Sequence, residues 1–150
     1  MSCGGKYDTG NCVADILREI ADAQDQLVDC TCDSSCEQSI ADLLGEVSPV
    51  SDLDTVPVIL YCKDCKPFKG YGARINQIQH VFGSFYFRVK SIDKDNCAVL
   101  ELLRDPSSQK RDPKSPVEQE TNNLRGTGVC ITVNLECFCH VTCLPAINAL

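Results

Sequence analysis

The hydrophobic pattern of this chain changes its period near Thr55, and this change constrains the fold more than any single motif. Before Thr55, apolar residues recur at the 3.6-residue spacing of an amphipathic helix. After it, apolar and polar residues alternate as they do in half-buried strands. The sequence therefore predicts an α+β fold, with N-terminal helices followed by an antiparallel β-sandwich-like domain.

The chain is predicted to form a single cysteine-rich domain over residues 1–150, because this length suffices to bury a core of its own. Residues 1–10 are small and polar, and predict a flexible arm. Residues 11–45 are expected to be helical, and residues 54–144 to be rich in β-strands.

Two helices are predicted in the N-terminal part. The first has Asn11 as its N-cap and continues to about Val28. The second covers Glu37–Leu44 and is ended by Gly45. The helical spacing of apolar residues in the first helix indicates one face that packs against other apolar groups.

The rest of the chain predicts short antiparallel strands separated by polar turns. They are expected at Val56–Tyr61, after the turn Cys62–Gly72, at Gly83–Lys90, at Cys97–Leu103, more weakly within Val117–Leu124, and at Cys130–Cys139. In Gly83–Lys90 the alternation places Phe85, Phe87 and Val89 on one face. Residues 105–116 contain no apolar residue except proline, and predict a solvated surface loop.

The charge of the chain argues against several classes of partner. It has 21 acidic and 14 basic residues, a net charge of −7, and so lacks the basic surface that nucleic acids and anionic membranes bind. No run approaches the roughly 18 apolar residues of a membrane span, and the N-terminus lacks the features of a secretory signal. The protein is therefore expected to be made in the cytosol, where thiols stay reduced.

Cysteine is the unusual component, with twelve residues in the chain. The spacing Cys-x-Cys-x3-Cys occurs twice, at Cys30/Cys32/Cys36 and at Cys137/Cys139/Cys143. The candidates for disulfides or cross-links are Cys3, Cys12, Cys30, Cys32, Cys36, Cys97, Cys130, Cys137, Cys139 and Cys143. Cys3 in the arm is expected to bridge to a surface cysteine of another chain, such as Cys130. Cys137 is interpreted as a buried small hydrophobe.

Metal and redox chemistry remain alternatives at Cys62 and Cys65, which form a Cys-x2-Cys pair. No second pair lies at zinc-finger spacing, and no convincing helix follows Cys65 to activate a thiol. A zinc-binding module and a thiol–disulfide oxidoreductase therefore stay as secondary hypotheses. Neither His80 nor His140 has a partner that predicts a catalytic base, so the favoured interpretation has no enzymatic activity, cofactor or metal.

Several segments resemble the spore coat and exosporium proteins CotY, CotZ and ExsY. They are MSCG at the start, Asn11-Cys12-Val13, the Cys30–Cys36 turn, Asp54-Thr55-Val56-Pro57, Phe87-Arg88-Val89, Cys97-Ala98-Val99-Leu100 and the C-terminal CITVNLECFCHVTCL. The resemblance spans almost the whole chain. His140 departs from the family pattern, and so do Cys62 and Cys65, which inherit no role from it.

The resemblance implies a structural protein of the spore surface, in the coat or the exosporium, made in the mother cell without a signal peptide. It also implies self-association into a homo-oligomer, with a hexamer and a hexagonal two-dimensional lattice stabilised by disulfides as the expected form. Other spore coat or exosporium proteins are the implied partners. Oxidation after lysis of the mother cell would explain why a chain made in the cytosol is rich in cysteine.

Overall fold

The computed structural model describes residues 10–27, 32–45 and 52–150. The chain divides into two compact units, Met1–Asp33 and Ser34–Leu150. The expectation of a single domain stays a prediction.

The first unit contains helix α1 (Cys12–Asp25), which confirms the predicted N-terminal helix. Asn11 caps it as expected, because its side-chain oxygen accepts a hydrogen bond from the Ala14 N–H at 3.0 Å. The apolar residues that were expected to pack are 44–67% exposed, namely Val13, Ile16, Leu17 and Ile20. The apolar face of α1 is thus open to solvent, unlike the packed face that its periodicity predicts.

The second unit begins with helix α2 (Cys36–Leu44), which confirms the second predicted helix with one more residue at its start. Ser35 is the N-cap, since its hydroxyl accepts from the Gln38 N–H at 3.0 Å. Gly45 ends the helix in the left-handed conformation, with φ of 74°, a conformation that favours glycine.

The remainder of the second unit is built on antiparallel strands. They are β1 (Val58–Cys62), β2 (Gly70–Gly72), β3 (Phe82–Ser84), β4 (Phe87–Ile92), β5 (Cys97–Arg104), β6 (Arg125–Asn134) and β7 (Phe138–Cys143). Five strands form one sheet in the order β6-β5-β4-β1-β7, and β2 pairs with β3 in a separate ribbon. Antiparallel pairing after the helices confirms the α+β class, while the finer expectation of a sandwich stays a prediction.

The expected strand Gly83–Lys90 is wrong as a single strand, because the chain bends after Ser84. Ser84 fixes the bend, since its hydroxyl accepts a hydrogen bond from the Tyr86 N–H at 3.0 Å. Phe85 and Tyr86 then enter one apolar cluster, whereas Phe87 enters another. The predicted common face of Phe85 and Phe87 does not exist.

The expected strand Cys130–Cys139 is also divided in two. Its first part alternates as predicted, with Ile131 and Val133 half-buried between exposed neighbours. Asn134 ends it, because its side-chain oxygen accepts from the Glu136 N–H at 2.9 Å and caps a 3-10 helix over Leu135–Cys137. Cys137 is therefore exposed, and its interpretation as a buried hydrophobe is wrong.

Residues 117–124 form no strand, in contrast to the weaker expectation for this segment. Gln119 is buried instead, and its amide oxygen accepts from the Phe85 N–H at 2.9 Å. Its amide nitrogen donates to the Ser84 hydroxyl, also at 2.9 Å. The buried amide thereby fastens this segment to the bend after Ser84.

The loop 105–116 carries exposed residues, as predicted, but polar side chains hold it to the strands. The guanidinium of Arg104 donates to the carbonyl oxygens of Gly83 at 2.9 Å and Arg111 at 3.2 Å. The ammonium of Lys69 binds the carboxylate of Asp112. These contacts fix the loop beside the β2–β3 ribbon.

The ribbon lies directly on the larger apolar cluster, whose centre includes Phe87, Leu100 and Leu102. Glycines permit this close approach. A Cβ atom at Gly70 would lie 2.8 Å from Cδ1 of Ile131 and 2.9 Å from Cε1 of Phe87. A smaller cluster forms separately around Ile59, Phe85, Tyr86, Leu103, Leu124 and Ala149.

Candidate cross-linking sites

The structure joins two of the candidate cysteines in an intrachain disulfide, Cys36–Cys143, with Cα atoms 4.8 Å apart. Cys36 is the first residue of α2, and Cys143 is the last residue of β7. A hydrogen bond from the Ser39 hydroxyl to the Leu144 carbonyl, at 2.7 Å, supports the same junction. The bond therefore ties the helix to the edge of the sheet.

Three other candidates lie near the N-terminus. Cys12, the first residue of α1, is itself disulfide-bonded. Cys3 and Cys30 lie outside the described residues, so the expected bridge from Cys3 to another chain stays a prediction.

The remaining candidates keep reduced thiols. Cys32, Cys130, Cys137 and Cys139 are exposed, and Cys97 is half-buried. In the sheet order, β6 and β7 are the two edge strands. Cys130 lies on β6, Cys139 lies on β7, and Cys137 immediately precedes β7. The structure therefore places exposed thiols at both edges of one sheet.

Cys130 projects from the wetter face of β6, as its alternation with half-buried Ile131 predicts. It pairs with Glu101 of β5, whose carboxylate accepts from the Gly128 N–H at 3.0 Å and lies 3.9 Å from the Lys90 ammonium. Because Glu101 is held from two sides, the backbone beneath Cys130 is well anchored. The thiol is presented to solvent on a fixed strand.

Cys62 is the last residue of β1, and Cys65 lies in the turn that follows it. The Cys65 N–H donates to the Cys62 carbonyl at 2.9 Å, and Cys65 adopts the left-handed conformation with φ of 69°. Strand β2, rather than a helix, follows the turn. Neither thiol therefore gains the helix N-terminus that activates an attacking dithiol cysteine.

The pKa of Cys62 is raised above its ordinary value, first by burial and then by the charges of Asp64, Cys137 and Cys139. An attacking thiol needs a lowered pKa, so that it is ionised near neutral pH. This shift has the opposite direction, and it argues against an oxidoreductase in which Cys62 attacks a substrate from solution.

Cys62, Cys137 and Cys139 are brought together, although they are far apart in sequence. The Cys139 thiol donates to the carbonyl oxygen of Cys62 at 3.2 Å. Sequence reasoning paired Cys62 with Cys65 and missed this proximity, because the pairing of β1 with β7 joins segments that are about eighty residues apart. The period-2 pattern of both segments was the available signal, but it does not specify a partner strand.

The side-chain partners of the two histidines are a tyrosine and an arginine, and neither partner is a thiol that a histidine base could activate. His140 stacks on Tyr61 with ring centroids 4.3 Å apart, and His80 Nδ1 lies 3.4 Å from the Arg111 guanidinium. Among the described residues, no group of three or more His, Cys, Asp or Glu side chains is arranged to hold a metal ion. Within the same residues, no helix combines the length and the apolar character needed to cross a membrane.

Comparison with known proteins gives one consistent family. The family model described as Spore coat protein Z matches residues 1–146. A curated relative, Spore coat protein Z of Bacillus subtilis (strain 168), is 28% identical over 142 residues, which cover 91% of this chain and 90% of the relative. No solved structure gives a significant match.

Proposed function

Because this chain belongs to the spore coat protein Z family, we propose that it is a structural protein of the spore surface that assembles into a two-dimensional lattice stabilised by disulfides. Membership confirms the resemblance to CotY and CotZ, and it supports the structural role at the spore surface. The lattice, its hexagonal symmetry, the hexameric unit and association with other coat or exosporium proteins are the proposed part.

The observation that carries the proposal is the exposure of thiols at both edges of the five-stranded sheet. A lattice extends only if each copy has at least two contact surfaces. Cys130 lies at the β6 edge, and Cys137 lies immediately before β7 at the other edge. Edge strands also present backbone donors and acceptors that can pair with another chain. Each edge thus combines a docking surface with a group that can make the contact covalent.

The fold does not need these exposed thiols for its own stability. Its core consists of aliphatic and aromatic side chains, with Phe87, Leu100 and Leu102 at most 1% exposed. Cys36 and Cys143 already supply a covalent tie within the chain. Exposed cysteines that contribute neither to the core nor to that tie remain available for bonds between copies.

Net charge explains why covalent bonds would be useful. At −7, copies of the chain repel one another, and the repulsion opposes close packing in a lattice. A disulfide keeps two docked copies at high local concentration, so that weak noncovalent contacts become effectively permanent. Oxidation after assembly would then lock an array that forms only weakly while its thiols are reduced.

The test compares two serine variants of the full chain, Cys130→Ser and the matched control Cys97→Ser. Both positions lie on neighbouring strands, but Cys130 is exposed and Cys97 is half-buried. After oxidation, we expect the Cys130→Ser variant to show fewer covalent oligomers on non-reducing gels, and arrays in electron micrographs that dissolve in denaturant without reductant. The control should match the wild type.

Three results would contradict the proposal. If wild-type protein stays monomeric on non-reducing gels and forms no arrays in electron micrographs, the proposed lattice is wrong. Stoichiometric zinc in the reduced protein would favour the zinc-binding module instead. Enzymatic dithiol oxidation that depends on Cys62 and Cys65 would favour the oxidoreductase.

A further inference from the structure

We propose that Cys62 and Cys139 are an intrachain redox pair, which peroxide oxidises to a disulfide that fastens the end of β1 to the edge strand β7. The bond forms within one chain, so the inference does not depend on lattice formation. It gives a role to Cys62, which departs from the family pattern.

The strand register places the two residues next to each other on β1 and β7. Tyr61 pairs with His140, and their rings stack with centroids 4.3 Å apart. Cys62 directly follows Tyr61, and Cys139 directly precedes His140, so both thiols lie beside this ring pair on adjacent strands.

A bulge lies at the pair itself. The register shifts between Tyr61 and Cys62, so that Cys62 pairs with Phe138 and Cys139 is the additional residue beside it. The Cys139 sulfur lies 3.2 Å from the carbonyl oxygen of Cys62. The Cys139 side chain thus already reaches the backbone of Cys62, and a disulfide between them requires their Cα atoms to lie about 4.4–6.8 Å apart.

The two thiols differ in exposure, and this difference assigns their roles. Cys139 is exposed and is expected to meet the oxidant first. Cys62 is half-buried, and burial together with the negative charges of Asp64, Cys137 and Cys139 raises its pKa. Cys62 therefore reacts poorly with a solute, but it is positioned to attack a modified Cys139.

The reaction balances with hydrogen peroxide as the oxidant. The Cys139 thiolate attacks one peroxide oxygen, and the O–O bond breaks. Hydroxide departs as the leaving group, and Cys139 becomes a sulfenic acid. The Cys62 thiolate then attacks this sulfur, the S–O bond breaks, and a second hydroxide leaves. The protons of the two thiols convert both hydroxides to water. Two electrons pass from the thiols to peroxide, giving one disulfide and two water molecules.

Two other thiols compete for Cys62. Cys65 is close to Cys62 in sequence. Its left-handed conformation and its N–H bond to the Cys62 carbonyl form the turn, and Cys65 does not lie on β7. Cys137 is near enough for its charge to affect Cys62, yet it lies in the 3-10 helix rather than on β7. The contact between the Cys139 sulfur and the Cys62 carbonyl favours Cys139 over both, and the competitors define the alternative results.

Disulfide mapping can separate all three pairings. Equal amounts of 14N- and 15N-labelled full-length protein are reduced, mixed, treated with limiting hydrogen peroxide without denaturant, and then alkylated and digested with trypsin and chymotrypsin. Cleavage after Lys63 separates Cys62 from Cys65, and cleavage after Phe138 separates Cys137 from Cys139. We expect a disulfide-linked peptide pair that contains Cys62 and Cys139. Both peptides of the pair should carry the same nitrogen isotope, because the bond forms within one chain.

A Cys139→Ser variant should leave Cys62 as open to alkylation after peroxide as before it. The matched control Cys130→Ser, another exposed thiol on an edge strand, should form the Cys62–Cys139 bond like the wild type. Circular dichroism of each variant checks that the sheet is retained. Cys62 bonded mainly to Cys65 or Cys137, mixed isotopes in the bridged peptide, or Cys62 left reduced would each overturn the proposal.

Discussion

Gly72 shows how one residue without a side chain decides where the β2–β3 ribbon can lie. A Cβ atom at this position would collide with Cγ1 of Val129 on β6. Valine is branched at Cβ and has restricted rotamers, so it cannot easily turn away. The ribbon covers the sheet at this point only because the strand carries no side chain here.

We expect Gly72→Ala to lower the free energy of unfolding by about 1–3 kcal/mol, the usual cost of overpacking a core contact. Adding Val129→Ala removes the colliding methyl groups, so the same glycine substitution should cost less in that background. Denaturant unfolding of the two single variants and the double variant measures the coupling. Additive effects would show that Val129 does not restrict Gly72.

Some residue roles were beyond prediction because they depend on partners from distant segments. Arg104 is buried, and it binds a carbonyl of β3 and another of the loop 105–116. Gln119 is likewise buried, where it binds the bend after Ser84. By contrast, Asn11 and Gly45 were predictable as helix ends, because capping depends on neighbours within a few residues.

At the scale of elements, the C-terminal segment acts as a strap along the start of the sheet. Ile147 forms a bridge with Thr55, and the Ala149 N–H donates to the Asp54 carboxylate at 2.9 Å. By itself, burial would raise the pKa of Asp54. Hydrogen bonds from the Ala149 N–H and the Thr55 hydroxyl outweigh it, so the pKa of Asp54 lies below its ordinary 3.8.

A lowered pKa in the folded state gives the Asp54 contribution a definite pH window. The stabilisation is complete above about pH 5, where the carboxylate is ionised even in the unfolded chain. It is lost as the pH falls through the lower pKa of the folded state. We expect Asp54→Asn to be less stable than wild type at pH 7, with the difference shrinking towards pH 2. Denaturant unfolding at several pH values checks this, and a constant difference would contradict it.

The elements themselves divide into local and non-local cases. Helices α1 and α2 and the β4–β5 hairpin follow from patterns that are contiguous in the sequence. The break between β6 and β7 was missed, because alternation continues in sequence while the Asn134 side chain ends the strand. The alternating pattern equally could not predict that β1 pairs with β7. The proximity of Cys62 to Cys137 and Cys139 depends on that pairing and was missed for the same reason.

At the scale of the whole molecule, we expect the fold to survive reduction better than the assembly does. The core is apolar and large enough to fold without bridges. Cys36 and Cys143 are separated by 107 residues, and closing a loop of this size stabilises a protein by about 4–5 kcal/mol in the chain-entropy model. Reduction should thus lower the unfolding midpoint clearly and leave the β-sheet signal intact.

Circular dichroism in reductant, together with electron microscopy of the same sample, tests this expectation. A Cys36→Ser/Cys143→Ser variant should reproduce the loss of stability without added reductant. Collapse of the β signal at room temperature in either experiment would show that the disulfide is required for folding itself.

The Cys36–Cys143 bond also turns most of the second unit into a closed covalent ring. A protease that cuts once between these residues, for instance after the exposed Arg111, opens the ring but separates nothing. The two halves stay attached through sulfur, and the buried sheet can keep them in register. A coat protein built in this way would tolerate a first cut from a digestive enzyme, and its fragments would part only when a reductant is also present.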